Sequence, residues 1–185
     1  MKRLMMIAAM MVAVLSANAQ NEVGQITLKP MAGVTLATIT DSDDSKFRVG
    51  LTAGVEGEYG IAEKFGITAG LLYSMQGANY DGDDKLKLGY LNIPILANYY
   101  VIPGLAIKAG VQPGFLLSAK DEDGDDEKDG MNSFDLSIPI GASYEYKNFV
   151  FDARYNFGLT KINKHGSNSH KNSVFMITVG YKFAL

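Results

Sequence analysis

The chain has 185 residues, enough for one domain with a core of its own. It has no cysteine, which excludes a disulfide framework and thiolate chemistry. Its formal net charge of −3 at pH 7 argues against nucleic acid as a partner.

The first element is a processing segment. Lys2 and Arg3 precede an apolar run over 4–15, and Ala17-Asn18-Ala19 supplies a small-residue cleavage site. The run is too short for a helical membrane span, which needs about 20 residues. The pattern predicts a signal peptide over 1–19 and a mature domain over 20–185, exported to a bacterial envelope. No cysteine follows the cleavage site, so a lipid anchor is excluded.

From there the side-chain period is two. In 47–59, Phe47, Val49, Leu51, Ala53, Val55 and Tyr59 alternate with Arg48, Gly50, Thr52, Gly54, Glu56 and Glu58. The same alternation runs through 65–78, 105–119, 134–146, 149–159 and 175–185, with noisier strands at 26–39 and 86–100. The apolar region 91–117 contains Pro94, Pro103, Pro113 and Lys108, and proline costs about 3 kcal/mol in a helix interior, so it is not a helix. Eight strands are predicted. Their connections alternate between short (60–64, 101–104, 147–148) and long (40–46, 79–87, 120–132, 160–172). This is the plan of an eight-stranded antiparallel up-and-down transmembrane β-barrel, with both termini at the short-turn, periplasmic end.

A soluble lipocalin-type barrel would share the period and invert the faces. The aromatic residues favour the membrane reading. Tyr59, Phe65, Tyr99, Tyr146, Phe149, Tyr181 and Phe183 all fall on apolar parity beside short turns or the C-terminus, where an interfacial girdle belongs.

The polar parity predicts what fills the lumen, which in eight strands is just wide enough for side chains. Positive candidates are Lys29, Arg48, Lys108, Arg154 and Lys182. Negative ones are Glu56, Glu58, Asp135, Glu145 and Asp152. An unpaired charge in a narrow lumen carries a large desolvation cost, so these are expected to pair into a plug rather than line an open pore. The turn Lys147–Asn148 sets a register with Tyr144 opposite Phe151 and Ser143 opposite Asp152. Pro113 and Pro139 each remove a ladder donor, so a bulge or a rim position is expected at both.

The stretches 71–80 (LLYSMQGANY), 88–100 (LGYLNIPILANYY), 151–162 (FDARYNFGLTKI) and 179–185 (VGYKFAL) resemble the PorT-like outer-membrane β-barrel family. The resemblance implies a barrel inserted in the outer membrane. One class of that family is linked to protein secretion. The shared motifs are barrel motifs and not an active site, so that role is not carried over. Here Ala184 and Leu185 follow Phe183, where many outer-membrane strands end on an aromatic residue.

Chemistry is sparse outside the lumen. His165 and His170 flank Ser167 and Ser169 in the last long loop, and a Gly/Ser/Asn loop gives no rigid placement for a nucleophile and base. Seven acids crowd into 121–130. An EF-hand register starting at Asp121 has acids at Asp123 and Asp125, but Asp126 stands where glycine is required and Asn132 where glutamate is required. Asp121, Asp123 and Asp125 therefore remain candidates only for a looser divalent-cation site, or for attraction to Lys161, Lys164 and Lys171. The first three long loops hold 13 of the 20 acids, which marks them as water-facing. Beside anionic lipopolysaccharide such loops would attract bridging Mg²⁺ or Ca²⁺.

Together these features predict a non-enzymatic outer-membrane protein without a cofactor. Its lumen is plugged, and its role is envelope structure or surface interaction. Lipid, lipopolysaccharide and, during insertion, the barrel-assembly machinery are the expected partners. The alternatives are a small-solute or secretion-associated channel component and a rim-sited lipid-modifying enzyme.

Overall fold

The computed structural model of the chain describes residues 23–40, 46–79, 85–121, 125, 128–163 and 170–185. The segment 1–19 expected to be a signal peptide lies outside them. The strands are β1 (Ile26–Thr40), β2 (Arg48–Ala62), β3 (Phe65–Asn79), β4 (Lys85–Asn92), β5 (Ile95–Ile102), β6 (Leu105–Lys120), β7 (Phe134–Tyr146), β8 (Phe149–Gly158), β9 (Lys171–Tyr181) and β10 (Phe183–Ala184). A single 3₁₀ turn, Lys128–Gly130, is described between β6 and β7.

β4 and β5 together make one stave, as do β9 and β10, giving eight. All pair antiparallel with their neighbours, and β1 closes on β9 and β10. Both ends of the described chain sit together, with Leu185 donating to Ile26 O at 2.9 Å. Closure leaves no edge strand, which lipid requires because it offers no hydrogen-bond partner.

The faces are those of a membrane barrel. Leu51, Val55, Ile67, Leu71, Ile107, Val111, Phe151 and Ile177 are exposed, whereas Thr35, Glu56, Asn98, Lys108, Asp152 and Arg154 are buried. Tyr59, Phe65, Tyr99, Tyr146 and Phe149 form an outward ring at the short-turn end. Phe65 stacks on Tyr99 at 4.9 Å, and Tyr181 lies 5.2 Å from Phe149 and 4.7 Å from Phe183. A second band, unread in the sequence, stands toward the other end: Phe115 against Phe134 at 5.7 Å and Tyr155 against Phe157 at 4.3 Å. Two aromatic bands enclosing an apolar belt are the signature of a bilayer-spanning wall.

All three short turns tighten to two residues: Glu63–Lys64, Pro103–Gly104 and Lys147–Asn148. The strands run further than the alternation suggested, because register shifts at Gly60/Ala62 and Tyr100/Ile102 absorb the extra residue as a bulge. Gly104 has φ 82°, and a Cβ there would meet Glu145 O at 2.7 Å. The third turn has the register read from sequence, Tyr144 opposite Phe151 and Ser143 opposite Asp152.

The prolines behave differently from expectation. Pro113 pairs with Leu136 and Pro139 with Asn156 inside the wall, and register holds on both sides of each, so neither marks a bulge. The cost is taken as missing rungs. Ile93 N still donates to Pro113 O at 2.8 Å and Gly70 N to Pro94 O at 3.0 Å, but the prolines return no bond. The ladder therefore breaks between β4 and β5, and the β6–β7 pairing is interrupted at Gly110 and Val111.

Lys147 has φ 57°, a conformation that disfavours branched side chains. Lys147→Val should cost about 1–2 kcal/mol in urea unfolding from lipid vesicles, while Lys147→Gly should be tolerated.

Candidate functional site

Eight of the ten predicted lumen charges meet in two clusters. The larger centres on Arg154. Asp152 and Arg154 share a face of β8 because they are two residues apart, and Glu56 reaches them from β2 across the lumen. Arg154 Nη1 donates to Glu56 Oε1 at 2.5 Å and Nη2 to Glu56 Oε2 at 2.8 Å. Its Nε donates to Asp152 Oδ1 at 2.6 Å, and Nη2 also reaches Asp152 Oδ2 at 2.9 Å. One guanidinium thus grips two carboxylates, the geometry its planar fork favours.

Two lysines complete the cluster. Lys29 Nζ lies 2.8 Å from Glu56 Oε2 and 3.8 Å from Asp152 Oδ2. Lys108 Nζ donates to Asp152 Oδ2 at 2.8 Å. All five side chains are 9 % exposed or less.

The smaller cluster lies nearer the short turns. Lys182 donates to Glu145 Oε2 at 3.0 Å and stands 3.8 Å from Glu58 Oε2. Tyr100 Oη donates to Glu58 Oε1 at 2.6 Å. Three cations with two acids in the larger cluster complement one cation with two acids in the smaller. A cavity of about 10 Å³, room for one water, lies between them, lined by Lys29, Glu56, Glu58, Lys108, Glu145 and Lys182 among others.

Glycines make the space. Gly141 is the register partner of both Arg154 and Lys108, and a Cβ there would fall 2.8 Å from Arg154 Cγ. Gly70 faces Glu56, and its Cβ would fall 2.6 Å from Glu56 Cγ.

Arg48 and Asp135, expected in the same network, lie outside both clusters. Arg48 Nη1 donates to the backbone, to Gln76 O at 2.5 Å and Leu86 O at 3.3 Å. Asp135 accepts a hydrogen bond from Thr160 Oγ1 at 2.7 Å. Carbonyls and a hydroxyl satisfy these two near the long-loop end, where no opposite charge is within reach among the described residues.

The lumen is also less polar than its parity suggested. Ile39, Ala78, Leu88, Tyr90, Leu116, Ala119 and Ile162 form a buried apolar cluster inside the long-loop end, with Leu86 and Met131 packed against it. The signal was present along β4 and the start of β5, where Leu86, Leu88 and Tyr90 pack inward while Leu91 and Ile95 take the opposite parity.

The loop candidates do not converge. Asp123, His165, Ser167, Ser169 and Lys164 lie outside the described residues. Asp125 N donates to Asp121 Oδ1 at 2.8 Å. Among the described residues, no three His, Cys, Asp or Glu side chains are grouped to hold a metal ion. His170 contributes its carbonyl to Ile162 N at 2.9 Å.

The family described as outer membrane protein beta-barrel domain matches residues 18–164. The chain belongs to this family. No curated protein matches the sequence. Among solved structures this outer-membrane barrel is similar to Ail, the attachment invasion locus protein of Yersinia pestis, with a TM-score of 0.56 and 17 % identity over 88 % of this chain and 100 % of that one. Ail in complex with the heparin analogue sucrose octasulfate gives 0.55 and 18 %, again over 88 % of this chain and 100 % of that one. Neisserial surface protein A gives 0.53 and 16 %, over 85 % of this chain and 96 % of that one. At such identities the likeness is one of fold.

Removing one member of the Arg154 cluster strands the others. Arg154→Met should cost about 3–5 kcal/mol in urea unfolding from vesicles, and adding Glu56→Gln and Asp152→Asn should recover little of it, because Lys29 and Lys108 then lose the acids they pair with. A fully additive triple variant would show that the three residues do not act as a unit.

Proposed function

We propose that this outer-membrane barrel is a non-conducting, non-enzymatic surface protein, with its lumen plugged by the Arg154 cluster and its long loops turned outward. The observation that carries the reading is the bidentate grip of Arg154 on Glu56 across the lumen, with Asp152 held beside it on β8. A cross-lumen pair of that kind leaves no continuous path for a solute in an eight-stave wall. The acid-rich loops support the outward orientation, because 13 carboxylates cannot enter hydrocarbon. Export then depends on residues 1–19 as a signal peptide and leaves both termini in the periplasm.

The partner chemistry follows from charge. Ail has been crystallised with a heparin analogue. The first three long loops here are acidic and repel a polyanion. They suit a cationic partner, or Mg²⁺ and Ca²⁺ shared with lipopolysaccharide. The PorT-like resemblance is consistent with this reading and adds no activity to it.

Planar-bilayer recording tests the plug. The intact protein should give no steady open-channel current, and Arg154→Gly with Glu56→Gly should raise the frequency of transient openings. Steady current from the unaltered protein would undo the proposal.

A further inference from the structure

The long-loop end of the lumen is built as an apolar collar above a polar well. The collar is the cluster of Ile39, Ala78, Leu88, Tyr90, Leu116 and Ala119. Ile162, 3 % exposed, packs into the same cluster, and no stave carries it. The segment after β8 delivers it and is strapped to the segment before β7. Asn132 N donates to Ile162 O at 2.8 Å, Asn132 Nδ2 donates to Lys161 O at 2.8 Å, and Met131 bridges Asn163.

The well lies beneath. Register sets Asp135 opposite Gly114, two residues below Leu116, and Asn172 opposite Ile39. Gln112 and Asn156 follow one step deeper on β6 and β8. All of these, with Tyr90, are 5 % exposed or less. Gln112 Oε1 and Asn156 Oδ1 lack partners among the described residues, while the Asn172 amide lies between the Tyr90 hydroxyl and the Asp135 carboxylate. The Asp135 carboxylate has the Thr160 hydroxyl but no cation within ion-pair distance among them. Buried groups of this kind are ordinarily satisfied, so an unsatisfied acceptor on each of two staves, beside a carboxylate without a cation, points to a guest.

The chemistry of that guest follows from the atoms. Acceptors outnumber donors and one is a carboxylate, so the fitting head is cationic and rich in N–H. The collar above accepts an alkyl body. We infer that the upper lumen is a dead-end binding site for an amphipathic ammonium compound, its head at Asp135 and its chain in the collar. Ile162 occupies the collar as a cork that the alkyl chain displaces.

The chain has no cysteine, so Gln112→Cys places a single thiol in the well. In lipid nanodiscs, a small polar thiol reagent should label it slowly while Ile162 is present. Ile162→Ala should speed labelling by about tenfold or more, given the packing the truncation removes. A medium-chain primary alkylamine should protect the thiol, and the carboxylate of equal chain length should not. Asp135→Asn should abolish that difference without slowing the uncorked labelling. Folding of each variant is verified by its heat-dependent gel mobility, with Ile162→Val in reserve for a variant that fails. Labelling indifferent to Ile162, or equal protection by amine and carboxylate, overturns the inference. The site rests on the closed floor proposed above, and the two fail separately: steady current undoes the floor, whereas the labelling pattern undoes the site.

Discussion

The structure depends on placing eight charges inside a closed wall without stranding any of them. A charge moved from water into a narrow protein interior loses far more solvation than a single partner restores. Arg154 resolves this by serving two carboxylates at once, Lys29 and Lys108 each pair with one of them, and the excess positive charge faces the acid-rich smaller cluster. Every other feature of the lower lumen accommodates that arrangement. Gly141 and Gly70 vacate the volume the long side chains need, and Tyr100 and Lys182 bond to the next two acids toward the short-turn end.

The wall was legible because its constraint is simple. Lipid outside and side chains inside impose a period of two, and the residues alternate accordingly from Phe47 to Tyr59 and from Phe149 to Phe157. Turn length was legible only where no bulge intervened. Lys147–Asn148 gave its register directly. The other two short turns concealed a bulged residue each, which periodicity cannot distinguish from a longer loop. Pro113 and Pro139 misled for a related reason. Sequence shows that a donor is missing, but not that the ladder keeps its register and simply omits a rung.

The candidate site was half legible. Parity placed all ten charges in the lumen but could not say which would meet, since partners such as Glu56 and Arg154 lie 98 residues apart on staves that are not neighbours. Arg48 and Asp135 show the limit, because both found polar groups in place of opposite charges. The apolar collar was hidden in the noise of one strand. The segment 86–100 looked irregular because it is apolar on both faces, and that irregularity reports a second dry environment inside the barrel. Ile162 left no trace, since a loop residue's burial is decided by where its neighbours carry it.

Closure sets a condition on assembly. Seven of the eight seams join staves that follow one another in the chain, so each can form as a hairpin once its two arms exist. The eighth joins Thr40 to Lys171 and Thr27 to Ala184. Until the last residues arrive, β1 and β8 each present a row of unmatched backbone groups that a bilayer cannot satisfy. The final stave, from Lys171 onward, therefore acts as a latch, and a chain shortened within it leaves an open ribbon, not a narrower barrel.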